Sequence, residues 1–124
     1  MLDDDLGERI IGCAITVHST LGPGLLESVY EACLVYALSR AGIEVARQVS
    51  LPIQYGEVIL EGALKLDLLV GKRVVIELKA TEKLLPIHIA QLLSYLKLSK
   101  LRVGYLLNFN VQHMRDGIKR VVNG

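Results

Sequence analysis

Only two cysteines occur in the 124 residues. Cys13 and Cys33 each stand alone in a helical pattern, with no CxxC spacing, so they read as reduced core thiols rather than a disulfide or a zinc site. Long apolar runs are also missing: no stretch reaches the roughly 18 uninterrupted residues that a membrane span needs. The N-terminus, MLDDDLGERI, is acidic rather than basic and then apolar, so a cytoplasmic location without a membrane partner is expected. Gly22-Pro23-Gly24 lacks the lysine and the spacing of a phosphate-binding loop. His18 and His113 are isolated, and no Ser/His/Asp or Cys/His spacing supports a nucleophilic triad. The net charge is only +1, short of the excess that marks a tight non-specific DNA binder. No internal repeat, low-complexity segment or linker divides the chain, so residues 1–124 are expected to form a single domain. An apolar content of 52% is enough for a real core and argues against disorder.

The small net charge conceals an asymmetry. Residues 1–62 carry three Lys/Arg against nine Asp/Glu, and residues 63–124 carry eleven against four, so the halves stand at −6 and +7. The second half has the field of a polyanion binder; equally, the halves can fold together and cancel. Lys83, Lys97, Lys100, Arg102, Arg115, Lys119 and Arg120 supply much of that positive charge.

The periodicity predicts a helix over 3–21, begun by three aspartates and placing Ile10, Ala14, Val17 and Leu21 on one face. Gly22-Pro23-Gly24 ends it, and a second helix is expected over 24–41, with Leu25, Val29, Cys33 and Tyr36 toward the core. Short strands follow at 45–53 and 58–60, with Pro52 marking a strand end or an edge. Strands at 63–70 and 73–80 come next, then a helix from about Leu84 to Leu98 with Leu85, Ile89, Leu92, Leu93 and Leu96 as its stripe. Residues 102–108 read as an apolar strand parallel to 73–80, and 118–122 as a last one. The expected order is ααββββαββ, an α/β fold.

Three charges stand out inside this pattern. Asp67, Glu77 and Lys79 interrupt runs that otherwise read as buried strand, where an unpaired charge is costly. Leu64, Leu66, Leu68 and Val70 share even parity with Val74, Ile76, Leu78 and Ala80, so Asp67, Glu77 and Lys79 fall on the odd face. If the even residues share one buried face, opposed residue numbers sum to an even number, which places Asp67 opposite Glu77 or one diagonal step away. Leu78 points its side chain elsewhere, while its backbone carbonyl can face the site. Oxygen donors of this kind suit Mg²⁺ or Mn²⁺, which would promote phosphodiester hydrolysis with help from the lysine. The competing account is a solvated sheet face on which Asp67 or Glu77 pairs with Lys65, Arg73 or Lys79. On the helices, Glu27, Tyr30 and Glu31 share one face at i, i+3 and i+4, and His88, Gln91 and Tyr95 follow one stripe. Glu27 equally favours a helix dipole, and Gln91 and Tyr95 equally suit an ordinary helix boundary.

Asp67 followed by Glu77-x-Lys79 resembles the signature of the PD-(D/E)XK nuclease superfamily. Gly24-Leu25-Leu26-Glu27-Ser28-Val29-Tyr30 resembles the motif of the GxxExxY proteins, a prokaryotic branch of it. The likeness runs on through Gln91-Leu92-Leu93-Ser94-Tyr95, Asn108-Phe109-Asn110 and Gly117-Ile118-Lys119-Arg120, with Leu66 standing where proline is frequent before the aspartate. The resemblance implies a restriction-endonuclease-like core, a mixed β-sheet flanked by helices, acting as a metal-dependent nuclease. By it, Asp67, Glu77 and the Leu78 carbonyl would hold Mg²⁺ or Mn²⁺, and Lys79 would be the catalytic lysine. Glu27 would be the acid from a preceding helix, and Gln91 with Tyr95 would match the QxxxY element of RecB-like nucleases. Tyr30 and Tyr95 are expected to touch substrate, and DNA is the expected partner. Two other outcomes are a binding or protein-interaction module on the same fold without catalysis, and a structural domain forming a homodimer.

Overall fold

The computed structural model describes residues 3–124; Met1 and Leu2, which open the acidic N-terminal stretch, lie outside the described residues. The elements are α1 (Asp3–Leu21), α2 (Glu27–Arg40), β1 (Val45–Tyr55), β2 (Val58–Val70), β3 (Val74–Lys79), α3 (Pro86–Ser99), β4 (Val103–Asn108), a 3-10 turn (Met114–Gly117) and β5 (Ile118–Val122). The five strands form one mixed sheet in the order β1-β2-β3-β4-β5. Only β3 and β4, joined through α3, run parallel; the other neighbours are antiparallel. Among the described residues, no helix is long and apolar enough to cross a membrane.

The sheet has one strand fewer than expected, because 58–60 and 63–70 belong to a single strand. Pro52 cannot donate to the ladder and Gly62 adopts φ +65, so the chain absorbs the interruption as a register shift between Leu51 and Ile53 instead of ending the strand.

The helices cover both faces of the sheet. Leu6, Ile10, Ala14 and Val17 of α1 and Tyr30, Leu34 and Leu38 of α2 pack with Leu68, Val70, Ile76, Leu78 and Leu107 on one side. Leu92 and Leu96 of α3 pack with Leu66, Val75, Leu106 and Val121 on the other. On α3, Ile89 and Leu93 are partly buried as the stripe requires, while Leu85 caps the helix N-terminus and is exposed.

The buried face of α2 differs from the expectation of Leu25, Val29, Cys33 and Tyr36. The helix begins only at Glu27 and turns Tyr30, Glu31, Leu34 and Leu38 inward, leaving Tyr36 68% exposed. Tyr30 sets this rotation: its ring stacks on Phe109 with centroids 4.6 Å apart. Both rings are fully buried, and such a stacked aromatic pair contributes large apolar burial.

Candidate functional site

The sheet opens at Asp67. Between β1 and β2, Arg47 pairs with Leu68 and Val49 with Leu66, and the intervening pair, Gln48 with Asp67, makes no ladder contact. Gln48 takes φ 48, a left-handed conformation unusual for a non-glycine residue in a strand. On the other side, the β2–β3 pairing reaches no further than Leu68 with Ile76. Leu66 and Leu68 would share a face in a regular strand, yet they join opposite hydrophobic clusters. The strand turns over at Asp67, and the even parity of β2 breaks there.

Carboxylates fill the gap. The Asp67 N–H donates to Glu77 Oε2 at 2.8 Å, and the Leu78 N–H donates to Asp67 Oδ2 at 2.9 Å. Continuing the β2–β3 register places Asp67 opposite Glu77, so each side chain takes up a backbone donor that the open ladder would otherwise strand. In a strand, the N–H and C=O of one residue point to the same edge, so the Leu78 carbonyl lies on the Asp67 side. Lys79 is directed the other way along its backbone, its carbonyl accepting the Phe109 N–H at 3.0 Å.

Two acids so placed resist ionisation. Burial pushes the Glu77 carboxyl up from 4.5 to about 8, the nearby Asp67 and Glu27 push the same way, and the Asp67 N–H and Lys79 oppose. Burial also raises Asp67, with Glu31 adding to it, against the Leu78 N–H, Gln48 and Lys79. Glu77 is 4% exposed, so the solvated salt-bridge face does not describe it.

The remaining expected residues fall at different distances from this pair. Lys79 Nζ stands 3.5 Å from Gln91 Oε1, which brings the α3 stripe to the lysine. Tyr95, on α3, is half-buried, and its phenol is raised by burial and then by Glu77 and Asp67. Glu27 is exposed and lines a cleft of about 210 Å³ together with Ser28, Glu31, Gln48, Asp67 and Leu78. Tyr30 does not meet the expectation of a substrate contact. It is fully buried, its hydroxyl donates to the Gly22 carbonyl at 2.6 Å and accepts the Leu25 N–H at 3.1 Å. It ties down the loop that launches α2. His88 caps α3, its Nδ1 accepting the Leu85 N–H at 3.0 Å.

Residues outside the expected set also build the site. Glu31 is paired with Arg47 at 3.0 Å and accepts from Gln48 Nε2 at 2.7 Å. In the sequence, Glu31 had a signal as the second carboxylate of the Glu27 face, whereas Gln48 looked like a routine polar position in a strand. Asn108, almost fully buried, accepts the Thr81 N–H at 3.1 Å and donates to the Thr81 carbonyl at 3.0 Å. These bonds clamp the chain just beyond Lys79. Among the described residues, no group of three or more His, Cys, Asp or Glu side chains gathers closely enough to hold a metal ion. The paired Asp67 and Glu77 carboxylates and the Leu78 carbonyl are oxygen donors of the kind a hard divalent cation takes.

Comparison with known proteins agrees with the fold. A family model for the PD-(D/E)XK nuclease superfamily matches residues 4–121. A solved structure titled "Crystal structure of SSO0001" is similar, with a TM-score of 0.56 and 23% sequence identity over 77% of this chain and 49% of that one. The chain thus spans about half the length of that structure. No curated protein matches the chain. The mixed five-stranded sheet flanked by helices is consistent with a restriction-endonuclease-like fold.

Proposed function

The chain belongs to the PD-(D/E)XK nuclease superfamily, and on that premise we propose that it is a metal-dependent nuclease domain that hydrolyses phosphodiester bonds in DNA. The observation that carries this reading is the bonding of both acids across the open ladder, Glu77 accepting the Asp67 N–H and Asp67 accepting the Leu78 N–H, with Lys79 close enough to lower both carboxyls. A buried acid pair that resists ionisation has a use for a cation. Asp67, Glu77 and the Leu78 carbonyl would hold Mg²⁺ or Mn²⁺. When bound, such an ion acts as a Lewis acid and lowers the pKa of water.

The chain's own groups do the rest. The Lys79 ammonium, steadied by Gln91 Oε1, neutralises charge that grows on the phosphate in the transition state. Glu27, at the mouth of the cleft, supplies a further carboxylate beside Asp67. Tyr95, half-buried near both acids, presents a phenol edge to a phosphate or a base. The motif from Gly24 to Tyr30 further supports placing the chain in the GxxExxY branch, and its Tyr30 acts there by holding the loop before Glu27.

Purified protein is expected to cleave DNA with Mg²⁺ or Mn²⁺ and to stop when the ion is chelated. Lys79→Ala should lower the rate by about 10²-fold or more. Undiminished cleavage by that variant, measured against mock-purified protein, would remove Lys79 from the mechanism. A second reading is a nucleic-acid-binding module without turnover. It is favoured because, among the described residues, no three His, Cys, Asp or Glu side chains gather closely enough to hold a metal ion, and it predicts salt-dependent binding with no cleavage under any divalent ion.

A further inference from the structure

Gln48 lies outside every motif in the sequence, yet it sits in the middle of the acidic cleft. Its register position faces Asp67 across the gap in the β1–β2 ladder. Its backbone is held at φ 48, a conformation that β-region neighbours do not share and that is strained for a residue with a side chain. Its carboxamide nitrogen donates to Glu31 Oε1 at 2.7 Å, and it lines the same cleft as Asp67, where it counters the effect of burial on the Asp67 carboxyl. A primary amide carries two N–H groups on one nitrogen, so one planar group can serve both acids. Glu31 is itself fixed: it is 9% exposed, and its other oxygen, Oε2, accepts from Arg47 at 3.0 Å. Arg47, Glu31 and Gln48 therefore form one hydrogen-bonded chain that runs from the α2–β1 packing to the cleft and ends beside Asp67.

We propose that Gln48 is a positioning residue for the candidate metal ligand Asp67: its amide, anchored on the Arg47–Glu31 ion pair, fixes the direction in which the Asp67 carboxylate faces the cleft. The assignment rests on the reading of Asp67 and Glu77 as metal ligands. A neutral donor suits this place better than a charged one. Lysine or arginine there would compete with a divalent cation for the carboxylate, whereas an amide orients the carboxylate and leaves its charge available. The left-handed backbone has the same purpose. It lets the side chain project toward the cleft at a point where regular alternation would fix its direction by parity alone.

The test measures Mn²⁺ binding by titration calorimetry without nucleic acid, alongside cleavage kinetics, in wild type, Asp67→Asn, Gln48→Met and Gln48→Gly. Gln48→Met keeps the length of the side chain and removes both donors. Gln48→Gly also removes them and relieves the backbone strain, so its fold is retained even if Gln48→Met is poorly stable. Expected is a loss of Mn²⁺ affinity of about 10-fold or more in both Gln48 variants, with kcat reduced and KM for DNA within about twofold. The paired variants separate positioning from a merely structural duty, since a structural duty in the strand would leave Gln48→Gly with wild-type affinity. Wild-type Mn²⁺ affinity in either folded Gln48 variant overturns the assignment of Gln48 alone. Absence of Mn²⁺ binding in wild type, or binding unaltered by Asp67→Asn, overturns the metal-site reading on which it rests.

Discussion

Tyr30 illustrates how one residue can belong to a motif and still make its contribution away from the chemistry. Its ring is locked against Phe109 and its hydroxyl is shared between the Gly22 carbonyl and the Leu25 N–H, so the loop before Glu27 depends on it. Tyr30→Phe should lower stability by about 1–2 kcal/mol, because both backbone groups lose a partner. A shift of the urea midpoint checks this, and an unchanged midpoint would show that water replaces the hydroxyl. Spacing alone placed Tyr30 on a helix face with Glu27 and Glu31, but it did not tell that face from the core. The polarity of tyrosine fits either place, and only the stacking partner decides. Asp67, Glu77 and Lys79 were legible because charges in apolar strands are costly. Gln48 was not, because an uncharged polar residue in a strand costs little and its left-handed φ leaves no trace in residue type.

At the level of elements, the site depends on two strands separating and on a helix lying close to them. Asp67 and Glu77 meet where the β2–β3 ladder gives out, and α3 must lie close to the sheet for Gln91 to reach Lys79. Gly104 on β4 permits that approach: a Cβ there would lie 2.9 Å from the Val75 carbonyl oxygen and 3.0 Å from Leu92 Cδ1. The carbonyl belongs to the neighbouring strand and cannot easily move. Gly104→Ala is therefore expected to cost about 1–3 kcal/mol by overpacking, read as a lower denaturation midpoint. A midpoint equal to wild type would mean that α3 shifts freely, in conflict with its close packing. Strand existence was readable from alternation at this scale, but strand number was not. Pro52 and the gap between 58–60 and 63–70 looked like boundaries, and tertiary pairing turned them into a bulge inside one long hairpin.

For the whole molecule, the buried acids tie stability to pH. In metal-free solution Glu77 ionises near 8 when folded, against an ordinary value of 4.5. Between those values the folded chain holds a proton that the unfolded chain releases. Stability from this group is therefore intact below about pH 4.5 and declines as pH rises to about 8, by a few kcal/mol at most. Asp67 is shifted in the same direction. Denaturant melts across this range should show the decline, and Glu77→Gln should flatten it. A metal-free wild type whose stability rises through that window would contradict the burial of Glu77. Added Mg²⁺ or Mn²⁺ is expected to raise the melting temperature more near pH 8 than near pH 5, because the ligands must lose their protons to bind it. An equal rise at both would argue against these carboxylates as ligands.

Composition and periodicity by themselves determined an α/β domain with two leading helices, a parallel β3–α3–β4 unit and an aspartate strand beside a Glu-x-Lys strand. Those features follow from local rules: the 3.6 and 2.0 periods, and the cost of burying charge. Only the tertiary structure decided which face of α2 is buried, that β2 is one strand, and that the ladder opens at Asp67. It also decided that Glu31 and Gln48 join the acids there. Each of these depends on contacts between residues far apart in the chain, where packing chooses among conformations that local sequence leaves nearly equal in energy.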